Sequence, residues 1–145
     1  MSNEICSEFW QGVEEFNQQD FYACHDTLEA LWMEASEPEK KFYQGVLQIA
    51  VSLYHLSNHN WKGSVILLGE GMSRLKNYQP SYFGIDVEKL IEDSAKLLSS
   101  LQKVDPKNVA DLADPLFGKI VSHSPNQNDR LQLPIIHKAS ESGNN

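Results

Sequence analysis

The sequence predicts an all-α protein, a compact bundle of about five helices built from two stacked helical hairpins plus a C-terminal helix. Apolar residues recur every three or four positions from residue 4 to about residue 101, which is the period of an amphipathic helix. Over the same stretch, apolar and polar residues do not alternate long enough to indicate a strand. Short polar breaks at residues 17–19, 36–39 and 58–60 separate the helical segments.

Residues that can cap a helix precede four of the predicted helices. Asp, Asn and Ser side chains accept hydrogen bonds from the free N–H groups of a first helical turn. Ser36 and Glu39 also have the spacing of a capping box, and Pro38 between them suits a first turn. The predicted spans are 4–16, 20–35, 40–57, 61–77 and 86–101, with caps at Asn3, Asp20, Ser36 and Asp86.

The third and fourth helices carry the signals for how the bundle packs. The third helix is apolar on nearly all sides, which predicts a central position with neighbours on several sides. Gly63, Gly69 and Gly71 in the fourth helix each cost about 1 kcal/mol relative to alanine, so close helix contact is expected to explain at least one of them. An offset of 40 residues relates the first two helices to the next two. Such a period is typical of stacked helical hairpins, although any two amphipathic hairpins can align in this way.

The character of the sequence changes after residue 104. Residues 1–104 are predicted to form the bundle domain, and residues 105–145 a C-terminal extension with a short helix and a largely irregular tail. Asp105-Pro106 and Asp114-Pro115 bracket the short helix. Residues 122–145 are rich in Ser, Asn, Gln and Pro, a composition that rarely buries itself. An apolar island at residues 131–136 can lie against the bundle or against a partner, and periodicity does not decide between them.

Composition sets limits on the function. The chain has 145 residues, of which 20 are acidic and 12 are Lys or Arg, giving a formal net charge of −8. Binding to nucleic acid or to an anionic membrane needs a basic patch and is therefore not expected. No run approaches the roughly 18 apolar residues of a membrane span, and the N-terminus does not have the pattern of a secretion signal. Cys6 and Cys24 make no disulfide framework and match no zinc spacing, which favours a cytoplasmic protein.

Three residues of the second helix, His25, Glu29 and Trp32, fall at i, i+4 and i+7 and so lean toward one side. At about 100° per residue, His25 is expected inside the apolar face and Glu29 at its margin. A buried polar group left without a partner costs about 1–3 kcal/mol. The pattern therefore predicts polar partners for these side chains on a neighbouring helix.

The third helix offers such partners. Gln44, Gln48 and His55 fall at i, i+4 and i+11 on an otherwise apolar helix. If the second and third helices pack antiparallel, as their short connection favours, this stripe can face the second helix. The predicted site is then an inward-facing polar cluster of His25, Glu29, Trp32, Gln44, Gln48 and His55.

Six motifs follow one another between residues 9 and 101. They are Phe16-Asn17-x-x-Asp20-Phe21-Tyr22, His25-x-x-x-Glu29-x-x-Trp32, Gln44-Gly45-x-x-Gln48, Leu53-Tyr54-His55, Asn60-x-x-Gly63 and Gly84-Ile85-Asp86. Their order and spacing resemble the bacterial and archaeal family known as domain of unknown function 309. The resemblance implies a compact all-helical fold whose hallmark is the motif at His25, Glu29 and Trp32. It implies no settled activity, although metal binding through that motif is suspected in the family.

Three functional interpretations stay open. The first is a non-enzymatic helical module whose polar cluster binds a small ligand or locks the fold, as satisfied polar networks can. The second is a metal-dependent hydrolase in which His25, Glu29 and His55 hold a divalent metal ion. Asp26 is expected to be a poor ligand because it points about 100° away from His25 around the helix. The third is a protein–protein adaptor, and association into a homo-oligomer is compatible with each of the three.

Overall fold

The computed structural model describes residues 6–118 and 131–140. These residues contain six α-helices and one two-stranded antiparallel sheet, and the predicted all-α class is confirmed. Within those ranges, every helix is too short or too polar to reach across a lipid bilayer. The elements are α1 (Ser7–Asn17), α2 (Phe21–Glu34), α3 (Glu39–Ser57), α4 (Trp61–Leu75), β1 (Ser81–Tyr82), β2 (Ile85–Asp86), α5 (Val87–Lys103) and α6 (Val109–Leu116).

Side chains cap the N-termini of several helices by accepting backbone hydrogen bonds. Asp20 and Asp86 accept hydrogen bonds from backbone N–H groups in the first turns of α2 and α5, as predicted. Asn60 does the same for α4, at 2.9 Å. The described part of α1 begins at Ser7, and the predicted cap Asn3 lies outside the described residues.

The capping box predicted at Ser36 is wrong. Ser36 contributes only its backbone carbonyl oxygen, which accepts the Lys40 N–H at 3.0 Å. The carboxylate of Glu37 instead accepts the Lys41 N–H at 3.2 Å. An acidic side chain one position further along thus satisfies a free donor of the first turn.

Each of the first four helices packs against the next one along the chain, and α3 lies between α2 and α4. The α3–α4 contact depends on Gly71, where a Cβ would lie 2.8 Å from the Gly45 carbonyl oxygen and 2.7 Å from Ile49 Cγ1. Close helix contact therefore explains one of the three glycines of α4, as predicted. At Gly69, by contrast, a Cβ would meet nothing within 4 Å.

The α1–α2 turn and the α3–α4 turn, which lie 40 residues apart in sequence, have matching backbone geometry. Gln19 and His59 both adopt positive φ, 66° and 62° respectively. The residue that follows each of them, Asp20 or Asn60, caps the next helix. The α1–α2 and α3–α4 connections are therefore built in the same way, which agrees with the repeat in the sequence.

A short hairpin of β1 and β2 separates α4 from α5, in a stretch where the sequence pattern indicates no strand. Each strand has two residues, too few for an alternating pattern to show in the sequence. Phe83 and Gly84 connect the strands with φ of 50° and 79°. Positive φ at both central residues is what a type I′ hairpin turn requires.

Residues 131–140 form an extended segment, here called the strap, that packs on the bundle. Its side chains Leu133 and Ile136 are buried, and Asn17 of α1 binds the backbone of Ile136. Lys138 forms a single antiparallel bridge with Ile85 of β2. The apolar island of the sequence therefore lies against the bundle.

The short helix predicted after residue 104 is α6, which follows a turn of 3₁₀ helix at Pro106–Asn108. Residues 119–130 and 141–145 of the predicted tail lie outside the described residues. The domain boundary at residue 104 coincides with the C-terminal end of α5 and stays a prediction.

Candidate functional site

Three side chains that can ligate a metal come together on the first turns of α2. His25 Nδ1 lies 3.2 Å from Asp26 Oδ1, and His25 Nε2 lies 3.9 Å from Glu29 Oε1. One potential ligand atom from each residue lies within 4.8 Å of the other two. Among the residues that the structure describes, this is the one group of three or more His, Cys, Asp or Glu side chains with such spacing.

The group is open to solvent, which corrects the expectation of an inward-facing cluster. The exposed fraction of the side chain is 32% for His25, 46% for Glu29 and 63% for Asp26. The centre of the apolar face of α2 is filled by residues such as Leu28, which is 1% exposed. The buried residues Phe21, Cys24 and Leu28 lie at about 0°, −60° and −20° around the helix. His25, at about +40°, therefore lies at the edge of the buried face, where water reaches it.

Aromatic rings border the imidazole on one side. The Tyr22 ring is stacked near the His25 ring, with centroids 6.2 Å apart and planes 19° apart. Tyr54 of α3 contacts Tyr22 across the helix interface at 5.7 Å between centroids. These contacts restrict the orientation of the imidazole and link the start of α2 to the end of α3.

Sequence reasoning missed Asp26 and chose His55 as the third ligand. The angle of about 100° between neighbouring helical positions describes the direction of Cβ, but the Asp26 carboxylate reaches back to His25 Nδ1. His55 does not belong to the group, and its Nδ1 lies 3.2 Å from the side-chain amide of Asn60. An acidic residue directly after the motif histidine was the signal available in the sequence.

Gln48 of α3 turns toward α4. Its Nε2 donates to Glu70 Oε1 at 3.0 Å, and Arg74 Nη1 donates to Gln48 Oε1 at 3.2 Å. Gln44, one helical turn earlier, is half-buried. The expectation that this stripe faces α2 is thus wrong for Gln48, because two residues of α4 engage both ends of its amide. The six predicted residues do not form one network.

Trp32 lies one turn beyond Glu29 and contacts the start of α3. Lys40 Nζ sits 4.5 Å from the centroid of the indole and donates to the Trp32 carbonyl oxygen at 2.7 Å. The indole Nε1 is buried and has no hydrogen-bond partner within the described parts of the chain. In this structure Trp32 joins α2 to α3 and contributes nothing to the ligand group.

Cys24 precedes His25 but faces the core. Burial raises the pKa of its thiol from 9.0 to about 12, and the negative charges of Glu15 and Asp20 add to the increase. The thiolate is the form of cysteine that binds metals. Cys24 is therefore protonated at neutral pH and acts as a small hydrophobic residue.

Comparison with known proteins bears on the same region. A family model described as "Domain of unknown function (DUF309)" matches residues 9–67. This match supports the resemblance to that family which the motifs indicate. All six predicted site residues and Asp26 lie inside the DUF309 match, whereas Glu70, Arg74 and the strap lie beyond it.

A curated relative from Bacillus subtilis (strain 168) is described as "Uncharacterized protein YpuF". It is 31% identical to this chain over 93 residues, which are 63% of this chain and 51% of YpuF. The chain thus spans about half the length of this curated relative. Neither the DUF309 description nor that of YpuF names an activity.

Proposed function

We propose that this protein binds a divalent metal ion through His25, Asp26 and Glu29. The convergence of three ligand atoms within 4.8 Å of one another carries the proposal. One imidazole and two carboxylates make a mixed nitrogen and oxygen ligand set, which suits zinc, manganese or ferrous iron.

Charge and exposure support this assignment. The two carboxylates give the group a formal charge of −2 when the imidazole is neutral, and the whole chain carries −8. The negative charge of the group and that of the whole chain both favour binding of a cation over an anion. The half-exposed positions leave room for water on the open side of the site. A metal ion bound there would supply chemistry by lowering the pKa of a coordinated water, while the three side chains hold and orient the ion.

Isothermal titration calorimetry of the untagged full-length protein with Zn²⁺ and with Mn²⁺ tests the proposal. We expect one ion per chain for at least one of the two metals. Asp26→Asn and Glu29→Gln keep the size of each side chain but remove its charge. Each is expected to weaken binding by at least about tenfold, in line with the cost of disturbing metal sites.

His59 provides a matched control. It is also a partly exposed histidine beside a carboxylate, with Nε2 2.7 Å from Asp114 Oδ1, but it belongs to no three-ligand group in the described residues. His59→Ala should keep the affinity of the wild type, whereas His25→Ala should lose binding. Absence of binding by the wild type, or equal losses in the two variants, would contradict the proposal.

A fold-locking role for the α3 glutamines is the second candidate. It is favoured by Gln48, which bridges Glu70 and Arg74 of α4. Such a bridge fixes the register of two helices without requiring a ligand. We also keep the cytoplasm as the proposed location, since Cys6 and Cys24 are both free thiols and thiols persist in a reducing compartment.

A further inference from the structure

The outward face of α2 carries four exposed side chains in a row, here called the α2 stripe: Tyr22, Asp26, Glu29 and Met33. They fall at i, i+4, i+7 and i+11, which places them within about 60° of one another around the helix. Tyr22 is 60% exposed and Met33 66%, the two highest values for a large hydrophobic side chain in the described residues. The two carboxylates of the proposed metal site therefore lie between two apolar side chains that are open to solvent.

The α2 stripe is symmetric about its own midpoint. Asp26 and Glu29 lie at equal distances in sequence from that midpoint, and so do Tyr22 and Met33. In a two-fold symmetric contact, residue i of one copy meets residue j of the other, and residue j meets residue i. Two copies of α2 that pack antiparallel through their stripes would thus place Tyr22 against Met33 of the second copy at both ends. Contact between a thioether and an aromatic ring is favourable.

The centre of such a contact needs a cation. It would bring together four carboxylates, Asp26 and Glu29 from each copy, and like charges repel one another. Residues 1–39 contain neither Lys nor Arg, so α1 and α2 of a second copy cannot supply the compensating positive charge. One divalent ion on each metal site neutralises its two carboxylates. The charge of the bound ion is thus complementary to the carboxylates of the second copy.

The metal site also leaves a position for a ligand from a second copy. Its three residues all belong to α2 and span little more than one turn of that helix, so they bind an ion from one side. Zinc is usually bound by four ligands, of which the protein supplies three in an open site. Because a carboxylate has two oxygens, Glu29 of a second copy can bind its own ion with one oxygen and the neighbouring ion with the other.

The size of the contact makes it dependent on the ion. The α2 helix has 14 residues and is about 21 Å long, and the stripe occupies one side of it. Stable protein interfaces bury about 1,200–2,000 Å² in total, which is large beside a face of this size. The two apolar ends are therefore not expected to hold a dimer together without metal.

We propose that the bound metal ion joins two copies of this chain through their α2 stripes. Each ion is held by His25, Asp26 and Glu29 of one copy and receives a further carboxylate oxygen from the second copy. Tyr22 and Met33 pack against each other at the two ends of the contact. This inference rests on the proposed metal binding and adds the partner that completes the site, which is a second copy of the chain. The protein is then a monomer without metal and a dimer with it.

Sedimentation velocity of the untagged full-length protein, in EDTA and in a slight excess of Zn²⁺ or Mn²⁺, tests the proposal. We expect a monomer in EDTA and a dimer with the metal that binds in calorimetry. Met33→Gln keeps the length and the neutral charge of the side chain but replaces an apolar group with a polar one. Because the dimer would lose two apolar contacts, its dissociation constant should rise at least about tenfold, while the ion still binds.

Ile66→Gln is the matched control. Ile66 of α4 is also a large apolar side chain, 47% exposed, but it lies outside the α2 stripe. This variant should therefore dimerise as the wild type does. Because Met33 and Ile66 are both exposed, neither substitution should change the circular dichroism spectrum.

The outcomes distinguish the dimer from the metal site on which it rests. One ion per chain in calorimetry, together with a monomer in the ultracentrifuge, would overturn the dimer and leave metal binding in place. Absence of metal binding would overturn both. A dimer that persists in EDTA, or equal dimerisation of Met33→Gln and Ile66→Gln, would also overturn the proposal.

Discussion

Gly71→Ala is expected to push α3 and α4 apart. The new Cβ would lie 2.8 Å from the Gly45 carbonyl oxygen and 3.1 Å from the Ile49 backbone nitrogen. Backbone atoms cannot rotate out of the way, so the two helices must separate. Forcing one extra methyl group into a packed interface costs typically about 1–3 kcal/mol.

Gly69→Ala is the matched control on the same helix. A Cβ at Gly69 meets nothing within 4 Å, so this substitution should show only the helix-propensity gain of about 1 kcal/mol. Gly71→Ala receives the same gain, and the clash must exceed it. We expect a net loss of up to roughly 2 kcal/mol for Gly71→Ala, and therefore a difference of roughly 1–3 kcal/mol between the two variants.

Thermal unfolding followed by circular dichroism measures this difference. For a chain of this size, 1 kcal/mol shifts Tm by roughly 4 °C. The Gly69→Ala protein should melt above the wild type and the Gly71→Ala protein below it, with roughly 4–12 °C between them. Equal Tm values for the two variants would show that α3 and α4 do not approach as closely as the structure indicates.

Two further predictions concern alkaline pH and the α3–α4 bridge. Because the folded pKa of Cys24 is raised from 9.0 to about 12, its contribution to stability is fully present below about pH 9 and is lost as pH rises toward 12. Tm should therefore fall above about pH 9 and should fall less in Cys24→Ala; parallel profiles for the two proteins would contradict this. Gln48→Ala removes two hydrogen bonds to α4 and should lower the free energy of unfolding by about 1 kcal/mol in urea titrations. The same variant should leave Zn²⁺ affinity unchanged, and a parallel loss of affinity would tie Gln48 to the metal site.

The helices and two of their caps were predictable because both depend on nearby residues. Asp20 and Asp86 cap α2 and α5 where the sequence indicates, since a cap needs only a short acceptor a few residues before the helix body. Ser36 shows the limit of such reasoning. Glu37 competes for the same first turn, and spacing alone does not rank the two acceptors.

Only part of the site was predictable, because the length of each side chain and its contacts with other helices determine which residues belong to the site. His25 and Glu29 follow from their spacing of four residues on one helix. Asp26 joins them because its carboxylate extends back toward His25, although neighbouring positions on a helix point about 100° apart. Gln48 does not join them, because its side-chain amide is hydrogen-bonded to Glu70 and Arg74 of α4. No pattern of nearby residues in the sequence indicates these two bonds.

The docking of the strap could not be read from the sequence for a related reason. An apolar island of six residues has the same composition whether it packs on its own bundle or on a partner. The deciding contacts come from Asn17 and from the hairpin, more than 40 residues away in the sequence. Those contacts exist only after the helices have assembled.

An anomalous difference map tests the central claim, metal binding by the α2 group, most directly. Crystals of the full-length protein grown with Zn²⁺ would be measured at the zinc absorption edge. We expect a peak about 2.0–2.2 Å from an imidazole nitrogen of His25 and from carboxylate oxygens of Asp26 and Glu29. A fully occupied peak elsewhere in the protein, or no peak beside His25, would contradict the account.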